Sequence, residues 1–257
     1  EGARASKRHH SVEQNVLSNY TMSIHGKGLL ESGLVVTATC IDCHTSHREL
    51  PASNVQSTVH RDNIPKTCAK CHAGIYEELL GSIHSPNKNL DNKKLPVCSD
   101  CHFAHTINRV DESGFRQVIT QQCGRCHQDV MKTYFDTFHG KVTKLGSEKT
   151  AKCNDCHGAH NILPMSNPKS TLSRENIVET CKTCHPNSNK KFVGYLTHAT
   201  HHDKDKYPYL FYTFWFMTIL LVGTFAFFGL HTILWLPRAI KEKRRRKKEK
   251  IYRSEEH

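Results

Sequence analysis

The chain has 257 residues, with 36 Lys and Arg against 24 Asp and Glu, 20 histidines and 12 cysteines. Residues 238–257 alone carry ten positive and four negative charges, so half of the formal charge of +12 lies in a C-terminal tail. A tail of that kind fixes topology and meets anionic lipid, and the balance is not the footprint of a nucleic-acid binder.

Residues 1–19 form a polar N-terminal segment, and Glu1 to Tyr20 holds no apolar core of an export signal, so a processed form or a fragment is expected. His9 and His10, like His257 at the other end, read as solvated terminal side chains.

From there every cysteine falls within one of six copies of Cys-x-x-Cys-His, and none remains for a disulfide. The copies are Cys40/Cys43/His44, Cys68/Cys71/His72, Cys98/Cys101/His102, Cys123/Cys126/His127, Cys153/Cys156/His157 and Cys181/Cys184/His185. This spacing is the haem c attachment signature. Two thiols three positions apart each form a thioether to one haem vinyl group, and the next residue, a histidine, lies beneath the iron. Paired Cys-x-x-Cys knuckles also bind zinc, but zinc gives no reason for a histidine after all six pairs. Six haem c groups are the expected cofactors. Attachment on the outer side of a bacterial membrane makes the domain that carries them periplasmic.

The motifs belong to a triplicated two-site module. Each unit reads His, then Cys-x-x-Cys-His-x-x-His, then a second Cys-x-x-Cys-His. Odd-numbered motifs start at Cys40, Cys98 and Cys153, steps of 58 and 55; even-numbered ones start at Cys68, Cys123 and Cys181, steps of 55 and 58. The leading histidines His25, His84 and His139 step by 59 and 55. The units span about 20–78, 79–133 and 134–206 within an ectodomain of 20–206. Apolar spacing predicts short helices over Ala73 to Ile83 and Gln128 to Phe138. Runs rich in Asn, Ser, Pro, Lys and Gly predict turns and irregular backbone elsewhere, with little strand. The fold class expected is mainly α with much irregular structure. Roughly 34 residues per site are too few for an ordinary apolar core, so the porphyrins are expected to be the core and the apo ectodomain to be unfolded.

A haem iron confined to electron transfer has its sixth position filled. The repeat supplies a matching set of second ligands: His25, His84 and His139, assigned to the odd-numbered haems, and His47, His105 and His160, assigned to the even-numbered ones. His198, His201 and His202 follow the last motif and are alternatives, with His60 as a weaker spare.

Residues 207–237 are expected to form one transmembrane helix. Tyr207 to Leu236 runs for thirty residues with no ionisable acid or base other than His231, long enough to span a bilayer with tilt. Tyr207, Tyr209, Phe211, Tyr212, Phe214, Trp215 and Phe216 crowd one end, and Trp235 marks the other, as interface anchors do. Ten Lys or Arg against two Glu from Arg238 to Arg253 make 238–257 a basic cytoplasmic tail, so the N-terminus is outside. His231, ionisable within the span, is a candidate membrane-site residue, weighed evenly against a histidine bonded to backbone or water. Gly223 and Gly229 would let another helix pack closely.

The doubled motifs, the segment SEKTAKCNDCHGAHNILP and the run YLTHATHHDKDKYPYLFYTFWFMTILLVGTFAFFGLHTILWLPR together resemble the multihaem cytochrome c3-like family of anaerobic bacteria, over about residues 20–240. In that family such an ectodomain is joined to a b-type membrane cytochrome that exchanges electrons with quinone. The resemblance therefore implies a partner, a membrane b-type cytochrome or another quinone-reactive subunit, besides a periplasmic redox protein and the lipid membrane. The expected role is electron transfer rather than catalysis, in a single-pass protein of the bacterial cytoplasmic membrane. The alternative is a terminal reductase of a nitrogen or sulfur oxyanion with one haem site open.

Overall fold

The computed structural model describes residues 15–88, 95–194 and 198–255, with side chains as far as Lys247. His9, His10, His257 and most of the N-terminal polar segment lie outside the described residues. The chain divides into two units, Glu1–His198 and Ala199–His257.

The first unit is built of short helices and turns, with no strand among the described residues. In chain order the helices are α1 (Val16–Met22), α2 (Ile24–Leu30), α3 (Cys40–His44), α4 (Ile64–Ala69), α5 (Ala73–Gly81), α6 (Cys98–His102), α7 (Phe115–Cys126), α8 (Gln128–Asp136), α9 (Phe138–Lys144), α10 (Cys153–His157) and α11 (Ile177–Lys182). The two helices expected from apolar spacing are present as α5 and α8, each shorter by two residues at its C-terminus. Both stop at a hydroxyl residue, Ser82 or Thr137, whose side chain takes a hydrogen bond from the backbone of the next turn. Ser82 accepts from the His84 N–H at 3.1 Å and Thr137 from the Gly140 N–H at 3.2 Å. In the first module Ser23 accepts from the Gly26 N–H at 3.1 Å, so Ser23 and Thr137 each cap the helix of a leading histidine. The glycines after those histidines permit the sharp bend between helices. A Cβ on Gly26 would lie 2.0 Å from the Tyr20 carbonyl oxygen, and one on Gly140 would lie 2.1 Å from that of Tyr134.

Among the described residues the buried apolar side chains are Pro65, Val97 and Tyr134, while Ser23, Ser57, Ser82, Ser85, Thr120 and Lys152 are also buried. Hydrogen bonds satisfy this polar interior. Tyr134 donates to the Ala151 carbonyl at 2.9 Å, and the Lys152 ammonium donates to the carbonyls of Ser147, Glu148 and Thr150 at 3.0–3.1 Å. Three apolar residues cannot hold a domain of this size by burial alone.

The second unit is dominated by one helix, α12 (Pro208–Glu255), with an apolar stretch long enough to cross a membrane. It does not end with the apolar run but continues through Pro237 into the basic tail. Lys, Arg and Glu are good helix formers, and pairs such as Arg246 with Glu242 at 2.5 Å add support along one face.

Candidate functional site

The six motif helices obey one rule in the odd-numbered positions and another in the even-numbered ones. The odd motifs are short helices (α3, α6, α10) with an aspartate two residues after the first cysteine. Asp42, Asp100 and Asp155 each accept from the backbone N–H just ahead of the motif, at 2.7, 2.8 and 2.7 Å from Thr39, Val97 and Lys152. Each thereby satisfies a helix N-terminus. After the motif histidine the chain turns through positive φ at Thr45 (68°), Phe103 (64°) and Gly158 (78°). The even motifs lack both features. His72 and His127 instead lie at the N-termini of α5 and α8, which carry the chain straight on.

Each motif histidine faces one other histidine across a gap of nearly constant width. Ring centres are 6.1 Å apart for His44 and His105, 6.3 Å for His72 and His25, and 6.0 Å for His102 and His160. They are 6.2 Å apart for His127 and His84, 6.4 Å for His157 and His198, and 6.1 Å for His185 and His139. Imidazoles bound at about 2 Å on opposite sides of one metal ion have ring centres roughly 6 Å apart, so the donor sets fit an iron between each pair. Rings in direct contact lie much closer, as His201 and His202 do at 3.9 Å.

The pairing differs from that expected from sequence. His25, His84 and His139 face the even motif histidines of their own modules, not the odd ones. His105 and His160 face the odd motif histidines of the preceding modules. The third odd position is completed by His198, whose Nδ1 lies 3.2 Å from Thr133 Oγ1, a bond that orients the ring. The reason is the left-handed turn: it points the residue three places after the motif histidine away from its own module and back toward the one before.

His47, assigned by sequence to the second site, is exposed, and no motif histidine among the described residues faces it. His60 makes a local contact, accepting from the Asp62 N–H at 3.4 Å with the Asp62 carboxylate 3.8 Å away. His201 lies against Phe214 at 3.8 Å within the second unit, and His202 lies beside it. His231 is exposed on α12.

The twelve motif cysteines differ in exposure. Cys43, Cys68, Cys98, Cys101, Cys123, Cys153, Cys156 and Cys181 are half-buried, but Cys40, Cys71, Cys126 and Cys184 are exposed. In every even motif it is the second cysteine that is exposed, because Cys71, Cys126 and Cys184 sit at or beyond the C-terminal ends of α4, α7 and α11. The Thr183 hydroxyl donates to the Cys184 Sγ at 3.9 Å.

Further contacts stitch each module to the next. The guanidinium of Arg61 holds Asp100 with two bonds, of 3.0 and 2.6 Å, and Arg116 holds Asp155. The Ile24 N–H donates to the Ile107 carbonyl at 2.7 Å, and the Ile83 N–H donates to that of Ile162 at 2.8 Å. Arg61 and Arg116 both lie seven residues before an even motif, and Ile107 and Ile162 both lie two residues after a second histidine. These recurrences are a signal in the sequence that a search for cysteines and histidines alone misses.

Consecutive motifs also touch. The helix of each motif packs against that of the next, in the order α3, α4, α6, α7, α10, α11. The Cys68 and Cys98 thiols hydrogen-bond to each other across a module boundary, which draws Cys98 down to about 7 and pushes Cys68 up. Cys123 and Cys153 do the same, with Cys123 drawn down to about 7. Burial pushes Cys101 and Cys156 up to about 11. Burial and then the facing imidazole hold His25, His84, His102, His139 and His157 below the usual histidine range. Neutral imidazole is the form that ligates a metal.

No protein-family model, no curated protein and no solved structure matches this chain.

Proposed function

We propose that the chain is a membrane-anchored hexahaem c-type cytochrome of the cytochrome c3-like kind, conducting electrons between a quinone-reactive membrane partner, such as a b-type cytochrome, and periplasmic redox proteins. The observation that carries this reading is the set of six histidine pairs, each joining one Cys-x-x-Cys-His histidine to a second histidine at 6.0–6.4 Å. When bound, haem supplies one-electron chemistry; the chain supplies attachment, orientation and spacing. The cysteines fix each group covalently, and the paired imidazoles hold both faces of an iron. The packed order of the motif helices places each attachment point beside the next.

The scarcity of buried apolar side chains supports the same reading, since flat apolar groups between the histidine pairs would provide the missing core. α12 supports the anchor: one helix long and apolar enough to cross a membrane, followed by the basic segment that favours the cytoplasmic side. A reductase needs an iron with an open position, and here every motif histidine already has a partner. The protein is accordingly an electron carrier, with its haem domain in the periplasm.

Low-temperature EPR of the oxidised, detergent-solubilised protein tests this reading. Six low-spin haems per chain are expected, with pyridine haemochrome analysis giving the stoichiometry. A stoichiometric high-spin signal would turn the assignment toward a reductase, and fewer than six haems would break it.

A further inference from the structure

The module repeat leaves one set of receiving groups unused, at the start of the array. In the second and third modules, the aspartate of the odd motif takes an arginine from the preceding module: Asp100 from Arg61, and Asp155 from Arg116. In the same two modules, the second histidine faces the odd motif histidine of the preceding module: His105 faces His44, and His160 faces His102. The first module has both groups in the same register. Asp42 caps α3 as Asp100 and Asp155 cap theirs, and the Lys70 ammonium donates to its backbone carbonyl at 3.1 Å, but no arginine side chain among the described residues holds its carboxylate. His47 follows the left-handed Thr45 as His105 follows Phe103 and His160 follows Gly158, yet it is exposed and faces no motif histidine among the described residues.

The backbone at Thr45 strengthens the case. A φ of 68° with ψ of 168° lies where glycine is at ease and threonine is strained. In the other two modules that turn aims a histidine at an iron position. At Thr45 the same turn is kept although it serves no such pair among the described residues.

Resting on the hexahaem reading above, we propose that His47 is a docking ligand for a seventh haem c iron, carried by a partner cytochrome whose haem has an open axial position, with Asp42 as the acceptor for an arginine of that partner. A second copy of this chain does not fit the role, because all six of its motif histidines already face histidines of their own. The partner haem would join the row beside the first site, as the odd sites of successive modules are joined through their Cys-x-x-Cys-His-x-x-His segments. The first-module end of the row thus becomes a contact for electron exchange.

The test uses the detergent-solubilised holoprotein and a purified haem c peptide that has one axial histidine and an open sixth position. Wild type is expected to convert the peptide from high-spin to low-spin with one-to-one stoichiometry in the Soret and EPR spectra. His47→Ala should weaken that conversion by at least about tenfold while leaving its own six haems low-spin. Conversion unchanged in His47→Ala, or none with wild type, overturns the proposal. One high-spin haem within His47→Ala itself also overturns it, because His47 would then be an internal ligand; the conduit reading would survive that result. Sedimentation provides the last check: self-association of wild type that His47→Ala abolishes would assign the face to a second copy and overturn the open-haem partner.

Discussion

The odd and even sites use the same attachment motif but hold the chain together in different ways. An even site is closed within its module: His25 faces His72, His84 faces His127 and His139 faces His185. The first two odd sites are closed from the next module, His44 by His105 and His102 by His160, while the third is closed by His198 near the end of the array. Even sites therefore build modules, and odd sites join them. The local backbone makes the difference. The helices after His72 and His127 lead the chain on into the next module, whereas the positive-φ turns after His102 and His157 precede histidines that face back to the module before. Each junction between modules thus rests on a histidine pair, and under the proposed function the row of sites and the fold of the array would depend on the same contacts.

The strongest way to break this distinction is to remove one second ligand of each kind. Either His25→Ala or His105→Ala should convert one of six low-spin haems to high-spin, read by EPR and by carbon monoxide binding to the reduced protein. Only His105→Ala is expected to loosen the junction between the first two modules, so limited proteolysis of that variant should cut between residues 79 and 97 before His25→Ala is cut there. Equal protection in both variants would mean that odd sites do not join modules. If the iron opened by His105→Ala proved to be the one attached at Cys123 and Cys126, the intramodular pairing read from sequence would be restored.

That pairing shows what sequence periodicity conveys and what it omits. The spacing of Cys-x-x-Cys-His displays six attachment points, and recurrence brings out His25, His84, His139, His105 and His160 as special. A period says which residues are equivalent; it does not say whether a contact joins a residue to its own unit or to the next. With one surplus histidine at the front (His47) and one needed at the back (His198), the series is shifted by a module, and that offset was the available clue. The recurrence of aspartate two residues into each odd motif and arginine seven residues before each even one was a second. The positive φ at Thr45 and Phe103 was not legible, because neither residue type signals a left-handed backbone. The long C-terminal helix was legible from its apolar run, but its extension through Pro237 was not, since proline ordinarily marks a stop.

A smaller effect is expected at the ion pair between the first two modules. Arg61→Met leaves the apolar stem and removes the two bonds to Asp100 and the one to the Leu95 carbonyl, at 2.8 Å. Both partners are about one-third exposed, so the loss should be about 1–2 kcal/mol, less than a buried pair would lose. Burial works to raise the Asp100 carboxyl, and the Arg61 guanidinium with the Val97 N–H outweighs it, holding the group below the usual carboxylate range. A depressed carboxylate contributes stability above its unfolded pKa of about 4, and that contribution is lost as pH falls through the lower folded value. The gap between wild type and Arg61→Met in chemical denaturation should accordingly be full at neutral pH and close in acid. A gap independent of pH would assign the effect to packing of the arginine stem.

The smallest effect tests the turn that separates the two kinds of site. Strain at Thr45 is worth about 1–3 kcal/mol, and glycine returns roughly 1 kcal/mol of it as backbone entropy lost on folding. Thr45→Gly also gives up the hydrogen bond from Thr45 Oγ1 to the Arg48 carbonyl at 3.0 Å, a partly exposed bond of modest worth. The net expectation is a gain of up to about 1 kcal/mol, with all six haems still low-spin, measured by thermal unfolding of the solubilised holoprotein. The third module already has glycine at this position, Gly158 at φ 78°, so the conformation itself tolerates the change. A loss of stability would mean that the threonine side chain holds the turn, and that the strained backbone is a by-product of its hydrogen bond rather than the device that aims His47 outward.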